Sequence, residues 1–147
     1  MSRFIGRACP YDVRQTLENS CWAAVLESWS RVDPRLPRLN HDDLVDRWGE
    51  GSTGGITPSR TVPFIAAAFD LRYSGLEGGY LEGYLRLNMP TSHVFCAYTL
   101  PGYTHAVLIY QLGQDRLAFF DPNGAVYRVR DIEWIEQRGP FVVMAKP

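Results

Sequence analysis

The hydrophobic repeat changes once along this 147-residue chain, and that change limits the fold more than any other feature. Up to about residue 90, apolar side chains recur every three or four positions. Trp22, Val25, Leu26 and Trp29 share one face of a predicted helix that ends near Val32. Asn19 or Ser20 can cap its start, and Asp33-Pro34 with Pro37 stops it. Asn40, followed by Asp42 and Asp43, starts a second helix through Leu44, Val45 and Trp48. Thr57-Pro58 opens a third through Phe64, Ile65, Ala68 and Phe69. A short helix is expected over residues 80–86. From residue 92 the pattern becomes that of strands. Residues 92–99, 104–111, 117–121, 126–130 and 141–145 are rich in Val, Ile, Phe and Tyr, with turn residues between them. Helices first and an antiparallel sheet afterwards is an α+β order.

Apolar residues make up 46% of the chain and charged residues 21%, enough to bury a core, so residues 1–147 are expected to form one domain. The formal net charge of −1, without a basic block, argues against a nucleic-acid partner held by charge. No apolar run is long enough for a membrane span. The opening Met1-Ser2-Arg3-Phe4-Ile5-Gly6-Arg7 leads into no apolar core of a secretory signal, so synthesis in the cytoplasm is expected. Cys9, Cys21 and Cys96 form no C-x-x-C pair. A metal site, a redox dithiol or a cofactor is therefore not expected.

Cys21 opens the first predicted helix, where N–H groups and the helix dipole favour an anionic sulfur. Gln15 lies six residues before it, and its amide can donate to an oxyanion beside the Cys21 N–H. Three histidines compete for the base. His105 begins the apolar run Ala106-Val107-Leu108-Ile109-Tyr110, so a strand would hold it rigidly. His41 sits beside a helix cap among aspartates, where a solvated role is expected. His93 falls five residues from the position paired with His105, about 17 Å along the strand, and is read as a strand or edge histidine. A three-residue loop over 113–115 would pair Leu112 with Arg116. That register puts His105 opposite Asn123 and diagonal to Asp121, on one face. Either could orient the ring, an amide without adding charge and a carboxylate while stabilising the imidazolium, and Asp121 is preferred because geometry rather than chemistry decides between them. Trp22, Asn19 and Asn123 flank these groups and are assigned to substrate contact. The Gly51–Gly55 stretch lacks the Lys-Ser/Thr of a phosphate loop and reads as a flexible loop, with the lining of a substrate groove as the alternative.

Gln15, Cys21, Trp22, His105 and Asp121 together resemble the papain-like cysteine peptidases. Cys21-Trp22-Ala23-Ala24, His105-Ala106-Val107-Leu108-Ile109-Tyr110 and Phe119-Phe120-Asp121-Pro122 are most similar to the compact bacterial branch, which includes effector proteases and double-glycine leader peptidases. The papain Cys-Gly-Ser-Cys-Trp string is replaced by Glu18-Asn19-Ser20-Cys21-Trp22. The resemblance implies a papain-like helical half carrying Cys21, packed on a sheet half carrying His105 and Asp121. It implies a Cys–His–Asp triad with a Gln15 oxyanion donor, acting on a protein or peptide substrate. A bacterial effector or toxin exported without a signal peptide fits that branch, with an inhibitor or immunity protein as its partner. The same groups serve an amidase, a deamidase, or an acyl or amine transferase, peptidoglycan amidases included. A binding module on this fold is the non-enzymatic alternative.

Overall fold

The computed structural model describes residues 4–147. Helices α1 (Cys21–Val32), α2 (His41–Trp48) and α3 (Pro58–Phe69) occupy the first half. The starts of α2 and α3 follow local chemistry, whereas Ser20 precedes α1 without a side-chain cap bond. Asn40 accepts the N–H groups of Asp42 and Asp43, and Pro58 takes the first position of α3.

Strand β1 (Ile5–Gly6) precedes the helices, and β2 (Arg72–Leu76) follows them. A single 3-10 turn then leads into α4 (Leu81–Asn88). The rest is β3 (Val94–Leu100), β4 (Tyr103–Leu112), β5 (Arg116–Asp121), β6 (Val126–Asp131), α5 (Ile132–Glu136) and β7 (Phe141–Ala145). The sheet runs β2-β7-β3-β4-β5-β6, antiparallel throughout, and β1 pairs with the far end of β4.

Alternation along β3 and β4 splits the core in two. Phe95, Ala97, Ala106 and Leu108 face α1, α2 and α3. Val94, Cys96, Val107 and Ile109 face α4 and α5. The central strands are thus buried on both sides. Trp22, Leu26 and Trp29 of α1 are essentially inaccessible. At about 1.5–3 kcal/mol for each large apolar side chain, their burial docks α1 against the sheet.

Tyr98 pairs with His105 across β3 and β4, as a hairpin between them requires. The next hairpin departs from expectation. Leu112 pairs with Leu117, not Arg116, and a bulge between Ile109 and Gln111 then shifts the register by one. Beyond the bulge Leu108 faces Phe120, which returns His105 and Asp121 to neighbouring positions.

Candidate active site

The first turn of α1 meets the ends of β4 and β5. Cys21 is the first helical residue and is 3% exposed. Its thiol donates to the carbonyl of Thr104 at 3.8 Å, and the next residue is His105. His105 Nε2 lies 3.0 Å from Asp121 Oδ1, and Cys21 is near enough to the same imidazole to favour its charged form. Tyr98 meets the ring edge-on, with centroids 5.7 Å apart. Burial pulls the His105 imidazole down. Hydrogen bonds and charge from Asp121 and Cys21 outweigh it and hold the ring up at about 9.

Asp121 ends β5. Burial pushes its carboxyl up, but His105, the Asn123 N–H at 2.9 Å and Arg128 at 3.4 Å together hold it below the usual carboxylate range. The choice between Asp121 and Asn123 is therefore geometric. The carboxylate reaches the ring, whereas Asn123 is exposed and supplies its backbone N–H to that carboxylate.

Gln15 differs from expectation. Its Nε2 donates to Leu17 O at 3.0 Å and Glu18 O at 2.9 Å, so both amide hydrogens bind its own loop. Its Oε1 is buried without a partner. Its backbone N–H donates to Pro122 O, which ties this lead-in to the Asp121 turn. The Cys21 N–H, one of the free donors of a first helical turn, has no partner among the described residues.

A hollow of about 180 Å³ opens beside Cys21, with Ala97 and Ala106 in its lining. Asn19 lines it too. Trp22 is 2% exposed and contributes mainly through its indole N–H, which donates to Gly54 O at 2.8 Å. The Asn19 N–H donates to Thr53 O, and Glu50 pairs with Gly55. The 51–55 loop is therefore pinned as a wall of the hollow rather than left free. Gly54 sits at φ 69°, a left-handed conformation that favours glycine, and a Cβ there would push on the Leu17 side chain at 2.9 Å.

His41 is buried, contrary to the solvated role expected of it. Its Nδ1 lies 2.8 Å from Asp42 Oδ1 and its Nε2 2.8 Å from Ser20 Oγ. Ser20 Oγ also takes the Leu17 N–H at 3.1 Å. His41 thus braces the turn before Cys21 from behind, and no local pattern reveals it because Ser20 lies 21 residues away. His41→Ala is expected to cost about 1–3 kcal/mol through the partners it leaves unpaired, read as a lower urea midpoint. A midpoint equal to wild type would remove the brace.

His93 donates to Ala8 O and anchors the lead-in instead. All three cysteines are free, and burial pushes the Cys96 thiol far up. Among the described residues no group of three or more His, Cys, Asp or Glu could hold a metal ion, and no helix is long and apolar enough to cross a membrane.

No family model and no curated protein matches the sequence. Solved structures do match the fold. The peptidase domain of Streptococcus ComA, a bi-functional ABC transporter involved in a quorum sensing pathway, superposes with a TM-score of 0.68. The match covers 92% of this chain and 97% of that domain at 15% identity. This chain shares the fold of these peptidase domains. A double glycine motif protease from an AMS/PCAT transporter, solved with a leader peptide, matches with the same TM-score and identity. There the match covers 97% of this chain and 95% of the other. The papain-like α+β architecture expected from the sequence is thus the observed one.

Proposed function

We propose that this chain is a cysteine peptidase that cleaves peptide chains through Cys21, His105 and Asp121. One observation carries the reading: the helix-opening thiol sits against the Thr104 carbonyl, and the next residue, His105, holds its ring 3.0 Å from the buried Asp121 carboxylate. The thiolate attacks the scissile carbonyl, and the oxyanion forms beside the Cys21 N–H. Protonated His105 gives its proton to the leaving amine. Water, deprotonated by His105, then hydrolyses the thioester and frees Cys21. Asp121 fixes the ring and stabilises its charged form. Gln15 joins the oxyanion donors when its amide turns from the 17–18 carbonyls.

The narrow hollow beside Cys21 supports small residues on the acyl side of the scissile bond. The leader peptide held by the double glycine motif protease supports the same substrate class. The outer part of the proposal is a delivered effector or toxin restrained by an inhibitor or immunity protein. Co-purification from native cells that recovers no partner would count against that part.

Alkylation by iodoacetamide at pH 6 tests the central reading. Fast labelling of Cys21, lost in Cys21→Ala and strongly slowed in His105→Ala, is the expected result. Labelling of Cys21 no faster than that of exposed Cys9 overturns it.

A further inference from the structure

A second hollow, of about 280 Å³, is lined by Tyr98 and His105, which alternate along β3 and β4 with the Ala97 and Ala106 of the hollow beside Cys21. His105, Asp121, Arg128, Arg130, Arg138 and Trp134 are all in its lining. Arg138 stacks on the Trp134 ring, its guanidinium carbon 3.4 Å from the centroid, and donates to the Trp134 carbonyl. The Arg130 guanidinium carbon lies 5.4 Å from the same centroid, and its Nη1 donates to Val129 O. Neither arginine has a carboxylate partner among the described residues. Arg128 alone reaches one, Asp121 at 3.4 Å, and that carboxylate already serves His105. The nearby Asp131 pairs with Arg116 instead.

The charge here is out of balance. Three guanidiniums and an imidazole that carries charge over most of the pH range face one carboxylate. Stacking on Trp134 holds two of the forks in place and leaves donors over, so an incoming carboxylate meets prearranged partners. The volume is at the lower end for small-ligand sites and takes one or two side chains.

We infer that this hollow is a subsite for acidic side chains that follow the scissile bond. The inference rests on the peptidase reading, which fixes the direction. His105 must face the leaving amine to protonate it, so the chain beyond the amine runs past the imidazole and into the arginines. The acyl side occupies the hollow beside Cys21. The preferred substrate therefore has a small residue before the cut and Asp or Glu within a few residues after it.

A mixed synthetic peptide library, with cleavage sites read by mass spectrometry, tests this. Asp and Glu should be enriched after the cut about tenfold over Asn and Gln, and the enrichment should fall with added salt. Arg130→Glu combined with Arg138→Glu should reverse the preference towards Lys and Arg, and the paired Gln variant should flatten it. A wild-type profile indifferent to charge overturns the subsite. Should no library member be cleaved while Cys21 labels fast, binding to Cys21→Ala by calorimetry decides. An acidic peptide bound more tightly than its Asn/Gln counterpart, and released by the double Glu substitution, upholds the subsite. Equal binding of the two peptides overturns it. Slow Cys21 labelling defeats the peptidase reading separately.

Discussion

Cys21→Ala is expected to lower kcat/KM for peptide hydrolysis on the order of 10⁶-fold, with the fold retained. The Cys21 sulfur lines the hollow at the start of α1, and alanine differs from cysteine there by one buried atom. His105→Ala is expected to cost nearly as much, because an imidazole both charges the thiol and protonates the leaving amine. The double variant is the informative one. Residues that act as one unit are not additive, so Cys21→Ala with His105→Ala should be no slower than either alone. Near-UV circular dichroism on each protein separates lost chemistry from lost packing. His105→Gln serves if the alanine variant unfolds, since removing the ring leaves Asp121 with only Arg128 and the Asn123 N–H. Losses that multiply would mean that Cys21 and His105 work independently, and the mechanism would fail.

What the sequence discloses of this site follows from the range of the forces involved. Helix starts are local, so the Asn40 cap and the Thr57-Pro58 start are readable within three or four residues. The central strands are readable because burial on both faces demands nearly continuous apolar runs. Strand β2 is not, because Arg72-Tyr73-Ser74-Gly75-Leu76 has little apolar character and owes its shape to pairing with β7. Five-residue α5 is too short for a period to emerge. The nearness of His105 to Asp121 followed from an assumed hairpin whose loop is off by one. The bulge beside Tyr110 removes that offset before the site is reached, and nothing local to Tyr110 signals it. Long-range contacts account for the rest. The 51–55 loop looks free until Trp22 is seen holding Gly54, and His41 looks solvated until Ser20 is seen against its ring. Gln15 is at the expected offset, yet its loop offers two carbonyls that compete for its amide.

Asp121→Asn should move the basic limb of the activity profile as well as lower the rate. Burial drives the His105 ring towards neutrality, and Asp121 is the first of the partners that oppose it. With the carboxylate present, the imidazolium persists up to about pH 9, so kcat/KM should fall only as pH rises through that value. The amide can still accept from Nε2–H but brings no charge. The limb should therefore shift down by at least one pH unit, with kcat reduced on the order of 10²-fold or more. Asp121→Ala should lose more, because the ring then has no acceptor. Stability should follow the same linkage. The raised His105 value contributes fully below the ordinary imidazole value near 6.5, and that contribution is lost as pH rises through about 9. The lowered Asp121 value contributes above the ordinary carboxylate value near 3.8, and that contribution is lost as pH falls through its folded value. Both describe one interaction and are not added together. The Tm gap between wild type and Asp121→Asn should thus be widest between about pH 4 and 6.5 and should close above about 9. Tm scans across that range, run beside the kinetics, check both expectations. A basic limb that stays in place in Asp121→Asn would mean that Asp121 does not hold the charge on His105, and the triad would reduce to a Cys21–His105 pair.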